Sequence, residues 1–186
     1  MSVQLKKHDR KYTEVMSSLL SDPLIQNALS LNWQQVSIYG TRDYIDFILG
    51  EERMGNQLSR VIFNENDEFV GVTTLKHLQN KNRIAHIGTW IGSKYWGKGY
   101  NEQSKEQILW IAFVQLKLEL VFAGATTSNK RSVMAQNKLP YMIHDVGDQF
   151  PEHLELIEQE TGEPCILNVV RKEDFLSYMS NKKVIQ

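Results

Sequence analysis

The stretch 84–141 reads IAHIGTWIGSKYWGKGYNEQSKEQILWIAFVQLKLELVFAGATTSNKRSVMAQNKLPY, and at its centre stands Trp96-Gly97-Lys98-Gly99-Tyr100-Asn101. Residues 84–91 form a partly alternating apolar run, which reads as a strand. Gly88 interrupts it, and an interior glycine marks a bulge or a close backbone approach. After the glycines, 101–118 carries the longest helical pattern of the chain, polar in its first two turns and apolar in its second half. A strand, a glycine turn and a helix start make a phosphate-binding shape. The turn lets several backbone N–H groups converge, and the helix adds its own unpaired N–H groups and the positive end of its dipole.

Three phosphate loops compete for this pattern. A nucleotide P-loop has two glycines five apart, then Lys and a hydroxyl residue. Gly92, Gly97 and Lys98 fit, but Gly99 stands where the hydroxyl that binds Mg²⁺ is needed. A dinucleotide loop needs a third glycine, and Glu102 occupies its place. A coenzyme A diphosphate loop needs only the short glycine turn and the helix N-terminus.

Outward from this centre, the pattern continues as α/β. Upstream, 13–20 and 24–31 read as helices, 33–40 is ambiguous, and Thr41 is a plausible N-cap for a helix over 42–54, stopped at Gly55. Strands are expected at 3–5, 58–63 and 69–75, the last two joined by the polar turn 64–68, with a further turn at 80–82. Downstream, 120–125 is a continuous apolar strand and 129–139 a short helix. A strand follows at 141–146, a polar loop or helix at 147–164, a last strand at 165–170 and a helix at 172–179. The segment 84–125 then forms a strand–helix–strand crossover.

Composition narrows the partners. The 186 residues suit one domain over 1–186, and 41% hydrophobic residues supply one substantial core. A net charge of −1 gives no basic field for nucleic acid or an anionic membrane. No apolar run reaches the ~20 residues of a membrane helix. The single cysteine, Cys165, cannot pair internally, and the charged start lacks a leader's apolar core, so a cytoplasmic location is expected. No His/Cys/Asp cluster has metal-ligand spacing, so no metal is expected, and no hydrolase nucleophile elbow is present.

The motifs together resemble the GNAT superfamily of N-acetyltransferases, in the branch that acetylates ribosomal-protein N-termini and related small-molecule amines. Ile87-Gly88-Thr89-Trp90-Ile91 matches the I-G-Y-W-I strand. At the Q/R-x-x-G-x-G/A loop, Trp96 takes the first place, Gly99 the shared glycine and Asn101 the final small residue. Asn129 and Ser132 match N-x-x-S/A, and Leu139 precedes Pro140 and Tyr141 where the family has L-G-F. The resemblance implies a mixed, mostly antiparallel sheet flanked by helices. It implies an acetyl-CoA-dependent N-acetyltransferase acting on a small-molecule or peptide amine, and it leaves a homodimer open. The alternative is a catalytically idle acyl-CoA-binding module, because Asn101, Gln136 and Pro140 depart from the pattern.

The resemblance also assigns roles. Ile91, Trp96, Gly97, Lys98, Gly99, Tyr100, Asn101 and Asn129 would contact the cofactor. The Gly88 strand would supply an N–H to the developing oxyanion. Gln136 stands at the place of the family's tyrosine acid, which makes Ser132 the first choice for polarising the leaving thiolate; its other reading is a helix-end hydrogen bond. His86 stands where many members carry a glutamate base, and an imidazole suits that proton transfer; its other reading is an exposed strand-end histidine. The run Glu152, Glu155, Glu158, Glu160 is either a solvated helix face or a lure for a cationic amine.

Overall fold

The computed structural model describes residues 3–79 and 81–184. Asn80, in the expected turn 80–82, lies outside the described residues. Six strands form one sheet in the order β1-β2-β3-β4-β5-β6. They are β1 (Gln4–Lys6), β2 (Leu58–Phe63), β3 (Phe69–Lys76), β4 (Ile84–Ile91), β5 (Leu120–Thr126) and β6 (Cys165–Arg171). The pairs β1/β2, β2/β3 and β5/β6 are antiparallel, and β4/β5 is parallel. This is the mixed, mostly antiparallel α/β sheet expected from the sequence. The chain divides into two compact units, one of residues 1–79 and 88–108, the other of 80–87 and 109–186. β4 contributes to both.

In the first unit, helices α1 (Thr13–Leu20), α2 (Pro23–Leu29), α3 (Trp33–Val36) and α4 (Ile38–Met54) join β1–β3 and the end of β4. Asp22 caps α2 through the Leu24 amide, with Pro23 at the first helical position. The ambiguous stretch 33–40 resolves into α3, closed by an Asn32–Gln35 capping box, and the start of α4. Thr41 is therefore not the cap. Ser37 is extended, its Oγ accepts from Gly40 N, and α4 opens four residues early, burying Thr41 inside the first turn. Gly55 ends α4 at φ 75, as the sequence implied. Met16, Ile25, Ile45, Val61, Ile62, Val70 and Val72 are among the residues of this unit's core.

In the second unit, Ile84–Ile87 run parallel to Leu120–Ala123, and β5 pairs with β6 from Leu120↔Arg171 to Thr126↔Cys165. Helices α6 (Lys130–Asn137), α7 (Pro151–Thr161) and α8 (Lys172–Val184) complete it. A Cβ at Gly124 would lie 2.5 Å from Ile157 Cδ1, so the glycine is what lets α7 approach β5. Phe122, Val146, Ile157, Leu167 and Val169 form the core there. The expected strand 141–146 is absent: only the bridge Ile143↔Val169 forms. Asp145 takes φ 53, which breaks the extended run, and the Asn168 side chain satisfies its amide instead. The expected helix 101–118 is also divided, into α5 (Tyr100–Trp110) and a π-helical turn, Ile111–Gln115. No helix among the described residues is long and apolar enough to cross a membrane.

Candidate functional site

The glycine loop is braced on its strand side and open on the other. Buried Ile91 closes β4, and Gly92 N donates to Val70 O at 2.8 Å. The turn Ser93–Tyr95 follows, with Ser93 Oγ donating to Asp22 Oδ2. That hydrogen bond, then the one from Leu24 N, holds the Asp22 carboxyl below the usual carboxylate range. Trp96 packs against the first unit's core and its indole N–H donates to Ile91 O at 2.7 Å, tying the loop to the strand it leaves. Trp96 is thereby explained as packing with a polar handle.

Gly97 and Gly99 then take φ 76 and φ 78, a region that L side chains rarely adopt. A Cβ at Gly97 would meet nothing within 4 Å, and one at Gly99 only Gln103 Nε2 at 3.4 Å. The space over the loop is clear. Lys98 is exposed between them, its Nζ 5.5 Å from the Tyr95 ring centroid, and Tyr100 is buried. α5 opens directly after Gly99, whose lack of a side chain leaves nothing there to cap the helix. Two further polar groups stand in its first turns. The Gln103 side chain has its Oε1 buried without a partner. Lys105 is 7% exposed, and its Nζ donates to Asn101 Oδ1 at 2.7 Å. Burial lowers the Lys105 pKa from 10.5 to about 8. An amide cradle with a buried cation in the helix that follows it fits an anionic diphosphate. Gln103 and Lys105 were not singled out in the sequence. The signal for Lys105 was its i, i+4 spacing from Asn101.

The remaining candidates lie in the second unit. Asn129 is the N-cap of α6: its Oδ1 accepts from Ser132 N at 3.0 Å. Ser132 Oγ lies 3.4 Å from Gln136 Nε2. Gln136 is buried and engaged at both ends of its amide. Its Nε2 donates to Gly124 O at 3.2 Å, and its Oε1 accepts from Asn168 Nδ2 at 2.7 Å. Asn168 Oδ1 in turn accepts from Asp145 N. Gln136 thus links β5, α6 and β6 as a structural tie.

His86 departs from its alternative reading, because it is buried rather than an exposed strand-end residue. Its Nε2 lies 2.9 Å from His153 Nδ1, one nitrogen donating and the other accepting according to tautomer. His153, on α7, stacks on Phe122 with centroids 4.2 Å apart. The sequence did not single out His153, since 67 residues separate the two imidazoles. On the same helix, Glu158 Oε1 accepts from Cys165 N, and Glu155 accepts from Gln159, so these glutamates have local partners.

Comparison with known proteins identifies the family and the fold. Residues 3–140 match the family model described as an acetyltransferase (GNAT) domain. An uncharacterized N-acetyltransferase, p20, of Bacillus licheniformis is 26% identical over 139 residues, 74% of this chain and 77% of that protein. Among solved structures, the spermidine N-acetyltransferase of Vibrio cholerae in complex with CoA and spermine superposes with a TM-score of 0.73 at 12% identity, over 94% of this chain and 98% of that one. RimJ of Mycobacterium smegmatis in complex with CoA-disulfide gives 0.70 at 18% identity, over 92% and 83%. With the family model spanning from β1 through the glycine loop to Pro140, the chain belongs to the GNAT acetyltransferase domain family.

Proposed function

We propose that this chain, as one catalytic domain, transfers the acetyl group of acetyl-CoA to a primary amine. The observation that carries the reading is the open, positive-φ glycine loop Gly97–Gly99 leading without a side-chain cap into α5. Converging N–H groups and the helix dipole suit a diphosphate. Bound acetyl-CoA would supply the activated thioester. Loop amides from Gly97 to Asn101 hold its diphosphate, and Ile91 and Trp96 fix where that loop leaves β4. Asn129 keeps α6 in place, which holds Ser132 Oγ ready to polarise a leaving thiolate. His86 accepts the proton that the ammonium form of the acceptor must lose, and His153 orients its ring. The acceptor class is a small amine or a peptide N-terminus, the first suggested by the spermidine acetyltransferase among the fold relatives and the second by the family resemblance of the sequence motifs. A reducing cytoplasm suits the free thiol of Cys165.

One observation favours the second reading, an acyl-CoA-binding module without turnover. The position that carries the acid in much of the family is Gln136, and its amide is spent on Gly124 and Asn168. One experiment separates the two readings. CoA and acetyl-CoA are titrated by thermal shift, where ligand at 100 times its dissociation constant stabilises by ~2.7 kcal/mol. Free thiol release is then followed with spermidine and with a peptide bearing a free N-terminus. Binding with thiol release supports the transferase, and binding without it across an amine panel supports the idle module. Absence of any shift at millimolar CoA overturns both.

A further inference from the structure

This inference rests on the reading of 97–101 as the diphosphate loop, and concerns how Asn101 serves it. Asn101 stands in the first turn of α5 and Lys105 one turn later. Helical side chains lean toward the N-terminus, so the long Lys105 side chain runs back to the first turn. There its Nζ donates to Asn101 Oδ1 at 2.7 Å. An ammonium can only donate, so the carboxamide must turn its oxygen to Lys105 and its Nδ2 the other way. That Nδ2 has no hydrogen-bond partner among the described residues and is not among the buried unpartnered atoms. Asn101 is itself only partly buried, so the amide nitrogen is left free to donate.

Lys105 itself is in an unfavourable place. It is buried, no carboxylate lies within 4.0 Å of it among the described residues, and two of its three protons lack an acceptor. A buried cation with only a neutral partner destabilises the chain without ligand. An anion on the loop reverses the sign of that interaction.

We infer that Asn101 and Lys105 form a charge-backed donor for the cofactor diphosphate: Asn101 Nδ2 donates to a phosphate oxygen while Lys105 fixes and polarises the carboxamide from its other end. Asn101 is the binding residue and Lys105 the positioning residue. The pair turns a bulky side chain, at a place where the family pattern has a small residue, into a hydrogen-bond donor.

The test is a double-mutant cycle. Asn101→Ala, Lys105→Met and the double variant are titrated calorimetrically with CoA and with inorganic diphosphate, and their thermal midpoints are recorded to verify folding. Each single variant should bind both probes roughly ten-fold more weakly, the scale of one charge-assisted hydrogen bond. The double variant should lose no more than either single one, because the two residues act as one unit. Losses that multiply to about a hundred-fold overturn the relay, as does wild-type affinity in Asn101→Ala. Should Lys105→Met fail to fold, Asn101→Asp serves: it pairs with Lys105 but turns a carboxylate toward the phosphates. It should bind at least a hundred-fold more weakly, and unchanged binding overturns the inference. If the wild-type chain binds neither probe, the loop reading itself falls; wild-type binding with unchanged variants overturns only the pair.

Discussion

Two helices of this protein begin right after a loop that the family pattern assigns to the cofactor, and they begin differently. α6 is closed by its own side chain, since Asn129 takes the Ser132 amide and Gln136 spends its amide on β5 and on Asn168. α5 begins on a glycine that can cap nothing, under open space, with a partly buried carboxamide whose Nδ2 is unused and a buried cation with no carboxylate within 4.0 Å among the described residues. Helix ends need partners for their first N–H groups. Where the chain supplies them, the end is satisfied from within; where it withholds them, solvent or a ligand has to supply them. The same pattern class, a polar residue at a helix start, thus has opposite meanings in the two units. The difference is read from which hydrogen-bonding groups are already used.

The comparison breaks most readily at Gly99. Gly99→Val places a β-branched residue at φ 78 and a side chain in the open space, so CoA affinity should fall more than a hundred-fold in calorimetry. The opposite profile is expected at Gln136. Gln136→Leu strands the Gly124 carbonyl and the Asn168 amide, and should cost roughly 2–4 kcal/mol in urea unfolding, with loop affinity for inorganic diphosphate little changed. A diphosphate affinity that collapses with Gln136→Leu in the folded protein would erase the distinction.

A pH titration sharpens the α5 side. The folded Lys105 pKa, lowered to about 8, lies below its unfolded value of 10.5, so the folded chain binds fewer protons between the two. Stability therefore rises with pH from about 8 to 10.5, and the penalty is fully present below 8. The gain, roughly 3 kcal/mol at most by the size of the shift, should vanish in Lys105→Met. A contrasting buried group, His8, has its pKa lowered from 6.5 to about 4, first by burial, and donates or accepts at Ser59 Oγ at 2.9 Å. Its neutral form is the folded one, so stability should be lost as pH falls from 6.5 toward 4, and His8→Gln should flatten that limb. The smallest effect is expected at Asn129. Loss of the cap in Asn129→Ala should cost about 1 kcal/mol, measured as a lowered thermal midpoint.

The sequence by itself determined the elements whose cause is local. Alternation and apolar runs set β2 and β4 to the residue, positive-φ glycines punctuated α4 and the loop 97–99, and helical periodicity found α1. Local competition misled it where two caps were available: Ser37 opened α4 ahead of Thr41 because an extended Ser37 reaches the Gly40 amide. Residues 141–146 were apolar enough for a strand, yet Asp145 and the Asn168 side chain settled them as a loop. Only the tertiary structure decided the chemistry of the polar residues. It paired His86 with His153 across 67 residues, made Gln136 a tie between β5 and β6, and buried Lys105 beside Asn101 with no carboxylate within 4.0 Å among the described residues. The physical reason is that burial and partner choice belong to three-dimensional neighbours, and a polar side chain acquires its role from which of its donors and acceptors those neighbours leave unused.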